Sequence, residues 1–361
     1  CYAQRAPREL AAFPGVRAVF GNLEKASWPE LLPVLLEREN VVRVSELTRS
    51  THFAPLPLQH FPGHTRAFVK IQDGCNHGCT YCIVPSVRGP ERSLPIPEVW
   101  QQLEVLVASG FKEIVLTGIN LSRFGCDLPG EENLLTLVRR LKQTSWPARF
   151  RLSSVEPQDL SWEVIQELGD WPRFCPHFHI PLQSGSADVL AAMHRTYQPD
   201  WFAALVLQIQ TIFPQAAIGL DVMVGFPTET AADFQATRTL LESLPLAYCH
   251  VFPYSPRPST PAAAWPSLAD SREVQARAQE LRALSLQKKL AFYRRQLGRV
   301  AEVLVEGGLA GKPGWLTGLT ANYLRVHLPG PAAWANQMIS VRLQKVEGQA
   351  LVGEVITAGL A

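Results

Sequence analysis

Between residues 66 and 254 the sequence alternates between short apolar runs that suit strands and longer stretches that suit amphipathic helices. The strand-like runs are RAFVKIQ (66–72), EIVLTG (113–118), RFRLSS (149–154), HFHIPL (177–182), AIGLDVMVG (217–225) and AYCHVFPY (247–254). Helical patterns fall near 96–109, 132–143, 159–168, 186–193, 199–211 and 229–242. Strands separated by helices predict a parallel sheet with helices outside it, an α/β fold. Six such units make a partial, open barrel, with ligand-binding groups at the C-terminal ends of the strands. A cysteine-rich loop follows the first strand, and TGIN (117–120), SSVEP (153–157), PLQSGS (181–186) and GFPTE (225–229) follow others, so all five fall on one face.

The flanks read differently. A Pro-rich stretch, FPYSPRPSTPAAAWP (252–266), ends the pattern, and a long charged helix is expected over 269–297. From residue 297 onward, short apolar runs punctuated by Gly and Pro predict a small antiparallel β-barrel. Upstream, residues 1–47 hold helical stretches and an apolar VRAVFGN (16–22), the pattern of the tail of another α/β unit. The chain of 361 residues thus divides into 1–50, 61–296 and 297–361, more than one core usually serves. From Arg282 to Lys345 there are ten Lys or Arg against two acidic residues, although the whole chain carries only +2. A basic end suits a polyanion, and a solvated lysine-rich helix accounts for the same count equally well. No apolar run reaches the ~20 residues that span a bilayer. No membrane partner and a cytoplasmic location are therefore expected.

Three of the seven cysteines fall within eight residues, Cys75-Asn-His-Gly-Cys79-Thr-Tyr-Cys82. Clustered thiols in a chain this large point to metal and not to a disulfide scaffold. Iron–sulfur clusters are normally held by four thiolates. Three ligands leave one iron of a [4Fe-4S] cluster open, and the amino and carboxylate groups of S-adenosylmethionine can chelate it. One electron from the cluster then cleaves a carbon–sulfur bond, with the protein supplying binding, orientation and exclusion of water. The competing reading is zinc with His77 or a distant cysteine as fourth ligand, which makes the chain a non-catalytic, zinc-dependent RNA-binding protein. Zinc sites commonly pair C-x2-C units, and there is no second pair here.

The loop and its surroundings, KIQDGCNHGCTYCIVPSVRGPERS (70–93), resemble the radical SAM methylthiotransferase family. The likeness continues in order through TGINLSRFG (117–125), RLSSVEP (151–157), HIPLQSGSADVLAAMHRTY (179–197), DVMVGFPTET (221–230) and HVFPYSPRPSTPAA (250–263). It implies a partial (β/α)6 radical SAM barrel followed by a TRAM domain, an RNA-binding β-barrel. It also implies that the start, CYAQRAP, is the remnant of an N-terminal domain holding a second [4Fe-4S] cluster through three cysteines. Cys1 would be the third of these, with the other two upstream of this chain and two clusters in the longer protein. The family's substrates are isopentenyladenosine in tRNA, threonylcarbamoyladenosine in tRNA and an aspartate of a ribosomal protein. KIQDGCN and HVFPYSPRP most resemble the threonylcarbamoyladenosine group, which implies 2-methylthiolation of that nucleoside beside the anticodon. The implied partners are a tRNA anticodon stem-loop and an electron donor such as flavodoxin or ferredoxin. Gly78 and Ser259 depart from the family, which commonly has a bulky residue and a glycine there.

The resemblance assigns cofactor contacts to Tyr81, Asn120, Ser154, Glu156, Gln183 and Gly225. Each has a structural alternative. Tyr81 can simply pack under the loop, Asn120 and Ser154 can stabilise turns, and the same ambiguity holds for Glu156 and for Gln183 with Ser184. Gly225 can let adenine approach or form a plain strand-to-helix turn, with Thr228 or Glu229 capping the next helix. Arg88 and Arg92 can contact the phosphate backbone of the substrate or simply be solvated, and solvation is the plainer reading. Cys249 reads as a buried strand residue, and Cys126 and Cys175 carry no assigned role. Trp315, Tyr323 and Trp334 suit either base stacking or the barrel core.

Overall fold

The structure, a computed structural model, describes residues 1–27, 30, 31, 33, 41–47, 53 and 63–356. The expected boundary between 50 and 61 lies outside the described residues. The chain opens with α1 (Tyr2–Arg5), α2 (Pro7–Ala11) and a parallel pair, β1 (Ala18–Phe20) with β2 (Val41–Arg43). This segment packs beside the cysteine loop, where Asn22 Nδ2 donates to the Val87 carbonyl at 2.6 Å.

Next come β3 (Arg66–Lys70), β4 (Gln72–Asp73), α3 (Val84–Arg88), β5 (Arg92–Ser93), α4 (Ile96–Ala108), β6 (Glu113–Thr117), α5 (Leu134–Lys142) and β7 (Arg149–Leu152). After them follow α6 (Trp162–Gly169), β8 (His177–His179), α7 (Ala187–Ala192), α8 (Pro199–Ile212), β9 (Ala217–Val224), α9 (Ala231–Ser243) and β10 (Tyr248–Pro253). Strands β3, β6 and β7 form one parallel sheet, and β8, β9 and β10 form another. Isolated bridges Phe150–Phe174 and Ser154–His179 join them. The resulting order, β3-β6-β7-β8-β9-β10, is the open six-stranded barrel expected from the alternation.

Local chemistry sets these elements. Helix α5 buries Leu134, Leu137, Val138 and Leu141 at helical spacing, and Asn133 caps it by accepting from the Thr136 N–H. Thr230 and Asp233 form a reciprocal capping box at the start of α9. HFHIPL is a strand only over His177–His179, shorter than expected. Pro181 has no N–H to give a ladder, and Gln183 turns the chain with φ +67°.

The strands are two-faced. Ala67 and Val69 of β3 join the apolar layer under the helices, whereas Arg66 and Phe68 line the barrel interior. Glu113 is fully buried and accepts from Arg149 Nε at 2.7 Å and Arg151 Nε at 2.8 Å.

Helix α10 (Ser271–Arg295) runs along β10 to a closed barrel of β11 (Val300–Gly308), β12 (Trp315–Thr320), β13 (Arg325–Pro329), β14 (Met338–Glu347) and β15 (Ala350–Val355). This barrel docks on the N-terminal ends of the parallel strands. Arg149 Nη2 donates to the Leu319 carbonyl at 2.8 Å, Asn322 Nδ2 to Gln215 at 2.9 Å, and Arg66 pairs with Glu306 at 3.2 Å. Phe292 and Tyr293 of α10 share its apolar core with Ala217 and Ala247. Tyr323 is therefore neither barrel core nor a free stacking ring, because it lies against His177 with ring centroids 4.5 Å apart. Trp334 packs on the barrel core, and Lys312 sits over the Trp315 ring. Among the described residues no helix is long and apolar enough to cross a membrane.

Candidate active site

The cysteine loop leaves the C-terminal end of β3, at the opposite end of the parallel strands from the small barrel. Gln72, wholly buried, fixes its root. Its Nε2 donates to the Gly74 carbonyl at 2.9 Å, and its Oε1 accepts from the Ile119 and Asn120 N–H groups at 2.9 and 2.8 Å. Gly74 then turns with φ +76°, and a Cβ there would stand 1.9 Å from the Pro90 carbonyl oxygen, so no other residue fits. Further along, Thr80 Oγ1 donates to the Ala192 carbonyl at 2.8 Å, which pins the loop to the turn after α7.

Each of the three sulfurs receives one N–H. His77 N donates to Cys75 Sγ at 3.4 Å, Val84 N to Cys82 Sγ at 3.4 Å, and Arg195 Nη1 to Cys79 Sγ at 3.5 Å. Donors aimed at sulfur suit thiolate ligands, which only accept. Burial pushes the Cys75 thiol up to about 12 and raises Cys82 as well, with the N–H donors acting in the opposite sense. Metal binding therefore has to displace protons from buried thiols.

A tetrahedral zinc ion with bonds of about 2.3 Å would hold its sulfurs roughly 3.8 Å apart. Among the described residues, the set of His, Cys, Asp and Glu whose ligand atoms all lie within 4.8 Å of one another is His179, Asp221 and His250, so the three cysteines stand wider. His77 is also committed, with Nε2 2.7 Å from Asp159 Oδ2 and Nδ1 3.0 Å from Gln158 Nε2. The bond to Asp159 raises its pKa against the opposing effect of burial. The three thiols fit the ligand set of a cluster, and His77, held by Asp159 and Gln158, is not free to act as a fourth ligand to zinc.

The other candidates surround the loop in three groups. Glu156 accepts from Arg195 Nη2 at 2.6 Å, and Arg195 also touches Cys79 and donates to Tyr197 Oη at 3.1 Å. Burial raises the Glu156 pKa and Arg195 opposes the rise. Asn120 donates to Asp159 at 2.8 Å, while its buried Oδ1 has no partner among the described residues and is an acceptor beside the loop. Tyr81 packs edge-on against Phe226, 6.4 Å between centroids, which brings the cysteine loop and the Gly225 turn together.

Ser154 pairs with His179 through the backbone and faces the barrel interior, and Gln183 bridges to Val222. Gly225 has φ +72°, and a Cβ there would lie 2.5 Å from Val274 Cγ2, so the close approach at this glycine is made by α10. Its N–H donates to Glu229 Oε2 at 2.7 Å.

Several sequence readings change. Arg92 is buried and donates to the Arg88 carbonyl at 2.8 Å, and Arg88 Nε lies 3.2 Å from Cys1 Sγ, so neither is simply solvated. Cys1, exposed, is thereby held beside α3. Cys249 is buried on β10 as expected, Cys175 is buried and Cys126 exposed. Ser259, where a glycine is common, has φ +68°, and a Cβ at Gly78 would meet nothing within 4 Å. Arg195, Asp159 and Gln72 carried no signal of their own, although Arg195 lies in the quoted HIPLQSGSADVLAAMHRTY segment.

Residues 69–241 match the family model of the Radical SAM superfamily. The chain is 37% identical over 84% of its length, and 74% of the relative's, to the threonylcarbamoyladenosine tRNA methylthiotransferase MtaB of Aquifex aeolicus. It is 34% identical to the MtaB of Bacillus subtilis over 96% of this chain and 77% of that one. To the tRNA-2-methylthio-N(6)-dimethylallyladenosine synthase of Desulfitobacterium hafniense it is 34% identical over 90% of this chain and 72% of that one. Among solved structures, the radical S-adenosylmethionine methyltransferase TsrM of Kitasatospora setae superposes with a TM-score of 0.46 and 14% identity, over 55% of this chain and 38% of that one. The chain belongs to the radical S-adenosylmethionine tRNA methylthiotransferase family. It is an enzyme that uses a [4Fe-4S] cluster and S-adenosylmethionine, and its substrate is tRNA.

Proposed function

We propose that this enzyme converts threonylcarbamoyladenosine beside the tRNA anticodon to its 2-methylthio derivative. The observation that carries the choice of nucleoside is the 37% identity to the Aquifex aeolicus MtaB over most of both chains, together with the KIQDGCN and HVFPYSPRP segments. Cys75, Cys79 and Cys82 hold the cluster, and Cys1 serves as one ligand of a second cluster. When bound, the cluster and S-adenosylmethionine supply one-electron cleavage and hydrogen abstraction from C2 of the adenine.

The chain's own residues bind, orient and shield. The His77 and Val84 N–H groups and the Arg195 guanidinium stabilise negative charge on the sulfurs. Asn120 Oδ1 offers an acceptor to the cofactor's ammonium or ribose. Glu156, Ser154 and Gln183 stand on neighbouring strand ends, and Tyr81 with the Gly225 turn closes the apolar side. Residues 61–296 act as the catalytic unit, 1–50 as part of the second-cluster domain, and 297–361 as the RNA-binding TRAM barrel, in a cytoplasmic enzyme reduced by a flavodoxin- or ferredoxin-like donor.

The test is nucleoside mass spectrometry of tRNA from a deletion strain. Loss of the methylthio derivative of threonylcarbamoyladenosine, with that of dimethylallyladenosine intact, is expected. Unchanged tRNA alongside an altered ribosomal protein would overturn the assignment. Anaerobic reconstitution is expected to give brown, iron-loaded protein, whereas colourless protein with stoichiometric zinc would overturn the cluster.

A further inference from the structure

The barrel interior forms a cavity of about 900 Å³, open to solvent on one side, that runs from Thr117, Ser153 and Ser154 at the strands' C-terminal ends to Tyr323 and Arg325 of the small barrel. It thus connects the end that carries the cysteine loop with the end that carries the RNA-binding module. A volume of this order accepts a ligand the size of a nucleotide.

The charge on its walls is one-sided. Five arginines and lysines line it, Arg66, Arg151, Arg282, Lys289 and Arg325, together with His177, His179 and His250, and among the described residues no aspartate or glutamate does. Three of the cations are answered from behind the wall. Arg151 pairs with Glu113 at 2.8 Å, and Arg66 and Arg325 pair with Glu306 at 3.2 and 2.8 Å. Arg282 and Lys289 form no salt bridge with a described residue. Arg282 Nη2 donates to the Val251 carbonyl at 3.3 Å, and Lys289 Nζ to Gln349 Oε1 at 3.0 Å.

Both lie on one stripe of α10, with Ser285 and Leu286 between them. Seven residues apart, they stand roughly 10 Å from each other along the helix. The surrounding field is positive. Burial and then Arg325 lower the Lys289 pKa, and burial followed by Arg151, His179, His250 and Arg66 holds His177 well below its usual range.

We propose that this cavity receives the substrate nucleotide and that Arg282 holds the carboxylate of its threonyl group, while Lys289 meets a backbone phosphate. This rests on the threonylcarbamoyl reading above. A threonine joined through a carbamoyl group keeps a free carboxylate, whereas a dimethylallyl group carries no charge. A guanidinium fork matches a carboxylate through two parallel bonds, and an ammonium is a point charge suited to phosphate. Arg282 is level with Val251, towards the strand ends where the chemistry is placed, and Lys289 lies nearer the small barrel. An acid-free wall costs a neutral ligand nothing, but it favours the charged one.

The test is anaerobic fluorescence anisotropy on cluster-loaded enzyme with S-adenosylmethionine and no reductant. The probes are anticodon stem-loop RNAs carrying adenosine, dimethylallyladenosine or threonylcarbamoyladenosine at the same position. Arg282→Gln is expected to weaken binding of the threonylcarbamoyl RNA by about 10-fold or more, the range of one charged hydrogen bond, and to leave the other two RNAs unchanged. Lys289→Gln should weaken all three alike. Arg282 is exposed on a helix that tolerates glutamine, and Arg282→Lys, which keeps the charge without the fork, should recover part of the loss. Equal weakening of all three RNAs by Arg282→Gln, or no weakening, overturns the inference while leaving the function intact. A wild-type enzyme that binds the dimethylallyl RNA best overturns both.

Discussion

Replacing Arg195 with Met tests whether the contact between Glu156 and the cysteine loop is both structural and electronic. Its side chain is 2% exposed and that of Glu156 is 19% exposed, so the 2.6 Å pair is shielded from water. Removing one member of such a pair leaves the other charge buried and costs ~3–5 kcal/mol. The partial exposure of Glu156 favours the lower end, about 3 kcal/mol. The carboxylate can escape by taking a proton. Its pKa is already raised by burial against the restraint of Arg195, and without the guanidinium it rises further.

A raised folded-state pKa means that the folded protein binds more protons than the unfolded chain above the unfolded value. Stability is then gained as pH falls through the folded pKa. The deficit of Arg195→Met against wild type should therefore be largest at about pH 8 and smaller at about pH 5.5. Denaturant unfolding of cluster-loaded protein under anaerobic conditions measures it. The same variant loses the donor to Cys79 Sγ, so the cluster's midpoint potential, followed by electron paramagnetic resonance, should move to a more negative value. Arg195→Lys should fall between the two. A deficit under ~1 kcal/mol, or one that does not change with pH, would refute the buried-pair reasoning.

Gly225→Ala combines a left-handed φ of +72° with a Cβ only 2.5 Å from Val274 Cγ2, and should cost about 2 kcal/mol in denaturant unfolding. Adding Val274→Ala should recover the steric part and leave the backbone part. Ser259→Gly should instead stabilise the protein by up to ~1 kcal/mol, because a serine now occupies φ +68° in an exposed loop. Thermal or denaturant midpoints check both, and a neutral Gly225→Ala would show that the turn and α10 are not held together there.

The elements of the α/β core were legible because each strand is a contiguous apolar run and each helix keeps its apolar stripe. The strand ends were less so. HFHIPL continues to read as a strand past His179, although Pro181 and the turn at Gln183 end the ladder. The cysteine ligands were legible because their spacing is local. Arg195 was not, since its meaning depends on Glu156, 39 residues away, and on Cys79, 116 residues away. Gly225 shows the same limit. A glycine after a strand signals a close approach, but only the packing of α10 shows that Val274 makes it.

The barrel interior carried a signal of a different kind. The inward positions of a parallel β/α barrel are ordinarily filled by branched apolar side chains that pack the lumen in layers. Here the runs that read as buried strands are interrupted at alternate positions by Arg66, Arg149, Arg151, His177, His179, Asp221 and His250. Such interruptions cost free energy unless the polar groups are paired or face a ligand. Glu113 accounts for Arg149 and Arg151. Asp221 lies 2.9 Å from His179 and 3.3 Å from His250, and although burial pushes its carboxyl up, the two histidines bring it to about 2. With the acids consumed in these internal pairs, the surface left facing the cavity is cationic. The polar alternation in the strands therefore bears on the proposed nucleotide site: a charged ligand would offset the cost of the polar lumen, and α10 adds Arg282 and Lys289, which form no salt bridge with a described residue.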